Sequence, residues 1–184
     1  MSNTRLPAKK TSDGEIAKRL EYFGWKKEIA GEGDFNKAVK AIVAMYATGR
    51  GLFIFGHAGC GKTALARALQ KIMGRSSLCW FYCKEPDDMS ALRGANCDAL
   101  GDSVFLDDVG SETVVREYGN KIDVVGDFIQ RYHYRGKGRF IATSNLDGLA
   151  MNERYDLRIV DRINEMCVVL QLDGSSKRER IIFG

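Results

Sequence analysis

The chain has 184 residues, 45% of them hydrophobic and 28% charged, with a formal net charge of +4 at neutral pH. This length and balance suit one soluble domain with a core of ordinary size, and they exclude an unstructured or fibrous polymer. No apolar run reaches the ~18–20 residues that cross a bilayer, and the opening MSNTRLPAKKTSDGE lacks the apolar centre of a secretory signal, so a cytoplasmic protein without a membrane partner is expected.

Charge is unevenly spread. Residues 1–50 hold ten Lys/Arg against six Asp/Glu, and the remainder balances at eighteen of each. A basic N-terminal region suits either nucleic acid or a solvated face. Five cysteines, Cys60, Cys79, Cys83, Cys97 and Cys167, lack zinc-site spacing, and the apolar run around Cys79 and Cys83 makes those two reduced core residues.

Residues 1–13 are polar and basic and are expected to be disordered. A helix is predicted over 14–30, with Ile16, Leu20 and Phe23 on one face. Asp34 is placed as the cap of the next helix, where Phe35, Val39, Ile42, Val43 and Tyr46 recur at helical spacing until TGRG. LFIF (52–55) then reads as a buried strand running into GHAGCGKT (56–63), and KTALARALQKIM as a helix stopped by Gly74. LCWFYC is a second strand, and one short helix follows Pro86. SVFLDD is a third strand, IDVVGDFIQRYHY a helix and RFIAT a fourth strand. RYDLRIVDRINEM is a helix and CVVLQL a fifth strand. Strands alternating with helices predict an α/β domain with a five-stranded parallel sheet between helices.

The spacing of Gly56, Gly61, Lys62 and Thr63 is that of a phosphate-binding loop, G-x-x-x-x-G-K-[ST], and it lies between a strand and a helix as such a loop must. Glycine lets backbone N–H groups turn inward around phosphate oxygens, and the helix N-terminus adds partial positive charge. Gly56, Gly59, Cys60, Gly61, Lys62, Thr63 and Ala64 are therefore the expected nucleotide-binding stretch, without a role for the Cys60 or His57 side chains. Lys62 would meet the β- and γ-phosphates of ATP, and Thr63 would ligate Mg2+. A strand ending in carboxylates completes such a site: Asp107 would orient Mg2+, and Asp108 would polarise the attacking water. Asn145, at the end of RFIATSNL, would hold that water or the γ-phosphate, or else simply leave the strand as a loop residue.

The phosphate loop, FLDDVG, YGN, TSNL and YDLRIVDRINEM together resemble the AAA+ ATPase domain of DnaC-type replicative helicase loaders and the related IstB-type transposition ATPases. The resemblance covers about residues 33–184, leaving 1–32 as a short basic segment, and implies a P-loop NTPase without a separate lid domain. It implies Walker A roles for Lys62 and Thr63, Walker B roles for Asp107 and Asp108, and the first sensor at Asn145. Arg158 and Arg162 match two arginines of the helix after that sensor, one of which reaches a neighbouring subunit's γ-phosphate; Arg162 is favoured. DGSSKR resembles the second-sensor segment and makes Arg178 a candidate. The implied partners are an ATP-dependent homo-oligomer, single-stranded DNA and a replicative helicase, or a transposase in the alternative.

Three departures qualify these expectations. Asp108 stands where many AAA+ ATPases carry Glu, which is one methylene longer, so slow hydrolysis is expected. Residues 84–102 have room for little more than one helix, where loaders and initiators often insert two that touch single strands. The segment before the domain is too short for a separate binding domain, so basic residues such as Arg5, Lys9, Lys10, Lys18 and Arg19, or another chain, would do that work. A small-molecule P-loop kinase is the remaining class, and Asn145 and the Arg158/Arg162 helix argue against it.

Overall fold

The computed structural model describes residues 11–74, 78–101, 103–113, 115–117 and 120–174. At its centre is a five-stranded parallel sheet in the order β2-β3-β6-β1-β7, built from β1 (Gly51–Gly56), β2 (Leu78–Tyr82), β3 (Ser103–Val109), β6 (Arg139–Ser144) and β7 (Cys167–Leu172). Such strands are covered on both faces, which is why their sequences run continuously apolar instead of alternating with polar residues. Successive side chains still point to opposite sides. Leu52, Ile54, Phe105, Ile141 and Leu170 enter one core, while Phe53, Val104, Leu106, Phe140 and Ala142 enter the other.

The first core is closed by α1 (Asp13–Tyr22), α2 (Lys27–Ala30), α3 (Glu32–Thr48) and α4 (Lys62–Met73). The second is closed by α5 (Pro86–Gly94), α6 (Val124–Arg135), α7 (Gly148–Arg154) and α8 (Leu157–Met166). Gly49, within the expected stop TGRG, and Gly74, the expected stop of α4, end their helices in the left-handed conformation.

Several elements differ from the sequence expectations. The 14–30 helix is two, because the chain turns at Gly24 (φ +90°), after which Trp25 is buried. Asp34 is not a cap: α3 begins two residues earlier, and the buried Asp34 carboxylate accepts the backbone N–H groups of Asp173 (3.1 Å) and Gly174 (2.8 Å) beyond β7. The expected 154–166 helix starts only at Leu157, because Asp156 breaks from α7 and caps α8 through the Arg158 N–H at 2.9 Å. A small antiparallel hairpin, β4 (Val115–Glu117) with β5 (Asn120–Ile122), occupies a stretch where no strand was expected and takes the first residue of the expected 122–134 helix, which starts at Val124. Residues 13–30, expected to precede the ATPase domain, pack into its first core through Ile16, Leu20, Trp25 and Ala30. Among the described residues no helix is long and apolar enough to cross a membrane.

Candidate nucleotide-binding site

Ligands of open α/β sheets bind beyond the carboxyl ends of the strands. Here that edge gathers the loop after β1, the carboxylates of β3 and the polar end of β6, because β6 lies between β1 and β3. The sheet order thus makes neighbours of residues 56–63, 107–108 and 143–145.

The loop is shaped by close approach. A side chain at Gly56 (φ +148°) would meet the Leu172 carbonyl oxygen at 2.2 Å, so only glycine fits. Gly61 (φ +99°) faces the Trp25 indole nitrogen, which would stand 3.6 Å from a Cβ there. Cys60 is buried beneath the loop. Lys62 begins α4 and is itself largely buried. It donates to the carbonyl oxygens of Gly56 (2.8 Å) and His57 (2.8 Å) and to Asn145 Oδ1 (2.7 Å). Burial lowers the Lys62 pKa, and the nearby Cys60, Asp108 and Asp107 work in the opposite sense.

Asp107 is buried at the end of β3 and accepts from Thr63 Oγ1 (2.9 Å) and Thr143 Oγ1 (2.5 Å). Hydroxyl and carboxylate oxygens are hard donors, suited to Mg2+ with water and phosphate completing its shell. The β3–β6 register shifts between Leu106 and Val109, and Asp108 adopts φ +60° inside that irregularity. Among the described residues it is the one non-glycine with positive φ. The Asp108 backbone N–H donates to Thr143 Oγ1 (2.9 Å), which supports the turn. Its carboxylate accepts from Lys84 Nζ (2.6 Å) and Asn145 Nδ2 (3.1 Å). Gly59, Lys62, Thr63, Lys84, Asp108 and Asn145 line one cleft of about 250 Å³.

Lys62, Thr63, Asp107, Asp108 and Asn145 therefore converge. Lys84 and Thr143 belong to the same constellation and were missed by the sequence reading. Each sits at the carboxyl end of a strand or just beyond it, the one positional signal that could have singled them out. Arg158 and Arg162 lie on α8 and do not line the cleft. The Arg158 guanidinium is exposed and has no hydrogen bond or ion pair among the described residues, whereas Arg162 is held by Glu165 (2.8 Å), which also takes His133 (2.6 Å). Arg178 lies outside the described residues.

The whole of this site falls inside residues 35–183, which match the model of nSTAND3, Novel STAND NTPase 3. The chain belongs to the nSTAND3 family. No curated protein matches this nSTAND3 chain. Solved structures share its fold at low identity. A candidate primosome component from Streptococcus pyogenes serotype M3 is 19% identical, with a TM-score of 0.53 over 81% of this chain and 85% of that one. Domain III of the Thermotoga maritima replication initiation protein DnaA is 18% identical, with a TM-score of 0.53 over 79% and 64%. AMPPCP-bound DnaA from Aquifex aeolicus is 18% identical, with a TM-score of 0.53 over 77% of this chain and 47% of that one, so the nSTAND3 chain spans about half of it. The fold is that of a P-loop NTPase of the AAA+ type.

Proposed function

We propose that this nSTAND3 protein binds ATP with Mg2+ and hydrolyses it, and that the nucleotide controls self-assembly, DNA binding and the loading of a replicative helicase. The observation that carries the nucleotide reading is the convergence of Lys62, Thr63, Asp108 and Asn145 on one cleft, with Asp107 bonded to Thr63 behind it, beside a loop that admits only glycine at position 56. Phosphate oxygens would take the place of the Gly56 and His57 carbonyls and of Asn145 around the Lys62 ammonium. Thr63 and Asp107 would hold Mg2+, which neutralises charge on the phosphates when bound. Asp108 is the base that accepts the proton of the attacking water, and Asn145, already bonded to it, orients that water. The loader assignment rests on the ordered motif set described above.

In this reading Arg158 or Arg162 completes a neighbour's site. The exposed Arg158 side chain, without a partner among the described residues, can reach outward as it stands, while Arg162 must first leave Glu165. The experiment is a pull-down with the full chain, a nonhydrolysable ATP analogue and native-host extract, beside calorimetry of ATP binding. Recovery of the replicative helicase with analogue supports the loader. Recovery of a transposase in its place moves the function to transposition control. Equal ATP affinity in Lys62→Ala and parent overturns the nucleotide site itself.

A further inference from the structure

Thirteen or so ångströms along α4 from Lys62, at ~1.5 Å per residue, α4 reaches Lys71. There α1 and α4 leave between them an open groove of about 430 Å³, lined by Lys18, Arg19, Tyr22 and Phe23 of the α1 end and Lys71 and Ile72 of α4. Ile72 is buried and forms the floor. Tyr22 is 83% exposed, with only an edge contact to Phe23 at 5.0 Å, so its ring has no packing role in the fold. Lys18 stands four residues before it on the same helix face. Arg19 is paired with Glu15 at 2.7 Å, whereas Lys18 and Lys71 have no ion pair among the described residues. The lining therefore contains three cations, one presented aromatic ring and no carboxylate.

We infer that this groove is a binding site for single-stranded nucleic acid, with a base stacked on Tyr22 and phosphates held by Lys18 and Lys71. The inference rests on the DNA-binding part of the proposed function and gives it a surface. A ring stacks on the face of any base, and flanking cations follow the backbone, which is the combination that grips single strands without reading sequence. An acidic peptide would satisfy the lysines but would have no use for the exposed ring. The site also connects physically to the nucleotide cleft. Both lie on α4, and Trp25, three residues beyond Tyr22, seats its indole nitrogen against Gly61 of the phosphate loop.

The test measures binding of fluorescein-labelled oligothymidylate and of a labelled duplex to the full chain with ATP analogue present, across a salt series. Tyr22→Ala should weaken oligothymidylate binding about tenfold, with Tyr22→Phe close to the parent, because stacking needs the ring and not the hydroxyl. Lys71→Ala should weaken it too and flatten the slope of log K against log salt by about 0.7, the share of one phosphate contact on a single strand. ATP affinity and melting temperature should stay at parent values in all three variants. If the parent binds oligothymidylate and Tyr22→Ala binds it equally, the groove is not the site and the DNA reading survives elsewhere on the molecule. If Tyr22→Ala weakens duplex and single strand alike, stacking on an unpaired base is overturned. Absence of all binding by a parent that still binds ATP overturns groove and DNA reading together and leaves the nucleotide site standing.

Discussion

At the scale of single residues, Asp108 illustrates how backbone and chemistry are tied. A left-handed conformation costs most L-residues ~1–2 kcal/mol, and Asp and Asn tolerate it best because their short polar side chains bond locally. The register irregularity that creates the φ of +60° also turns the carboxylate to Lys84 and Asn145. Asp108→Asn keeps both the backbone preference and the size. It is expected to bind ATP like the parent and to lose about 10²–10⁴ of its turnover, the usual share of a general base. Normal phosphate release by that variant would remove Asp108 from the chemical step. Trp25 offers a second residue-scale prediction. Its indole faces Gly61, whereas Trp80 packs on Phe105. ATP should therefore change the tryptophan fluorescence of the parent and of Trp80→Phe, and leave that of Trp25→Phe nearly unchanged in a titration.

Among the elements, the end of α7 and the turn that leads to α8 are anchored to the loop after β3 by one buried carboxylate. Glu112 accepts from the Gly110 N–H (2.9 Å), from Arg154 (2.5 Å) and from Tyr155 (2.5 Å). Burial, with Glu112 beside it, pushes the Tyr155 hydroxyl pKa far up, so Tyr155 remains a donor at any physiological pH. Removing one member of a buried pair strands the other. Glu112→Ala should destabilise by about 3 kcal/mol, a fall of roughly 6–12 °C in melting temperature for a domain of this size. Glu112→Gln, which still accepts hydrogen bonds, should lose less; a melting curve unchanged in both would show that the network does not hold this turn. On α8 itself, Arg158→Ala and Arg162→Ala are each expected to fold and bind ATP. Under the proposed shared site, one of them should lose hydrolysis and regain part of it on mixing with Lys62→Ala. Full activity of the parent at concentrations where sedimentation finds only monomer would exclude a shared site.

For the molecule as a whole, the N-terminal helices are part of the body that carries the phosphate loop. Ile16 and Leu20 are fully buried and Trp25 is 2% exposed. Burying one such side chain contributes ~1.5–3 kcal/mol. Three together approach the ~5–15 kcal/mol by which a whole domain is stable. A chain lacking residues 1–30 is thus expected to lose its cooperative unfolding transition in circular dichroism, and a truncated protein that melts like the parent would show these helices to be an ornament of the fold. This packing also bears on DNA. Lys18 and Arg19 are held on a fixed helix instead of a loose tail, so in an oligomer each copy would present them at a set place, and modest contacts would add along one strand.

The strands, the phosphate loop and the carboxylate pair were legible in the order of residues because each is local. An apolar run between turn signals, or Gly-x-x-x-x-Gly-Lys-Thr before a helix, specifies its own geometry within a dozen neighbours. Asn145 was only half legible: the polar end of RFIATSNL offers it as a site residue or a plain loop residue, and its place beside Lys62 depends on β6 lying between β1 and β3. Lys84 and Thr143 carry only the signal of a strand's carboxyl end, and Glu112 has no local motif; all three matter through partners 24, 36 and 43 residues away. Asp34 was misplaced for the same reason: an acid near a helix start caps it by local rules, and here the N–H groups after β7 compete and win. The joining of α1 to the core likewise required the surface that α3 and α4 present together. Short-range conformational preference is written in adjacent residues, whereas hydrogen-bond satisfaction and burial are settled only when distant segments meet.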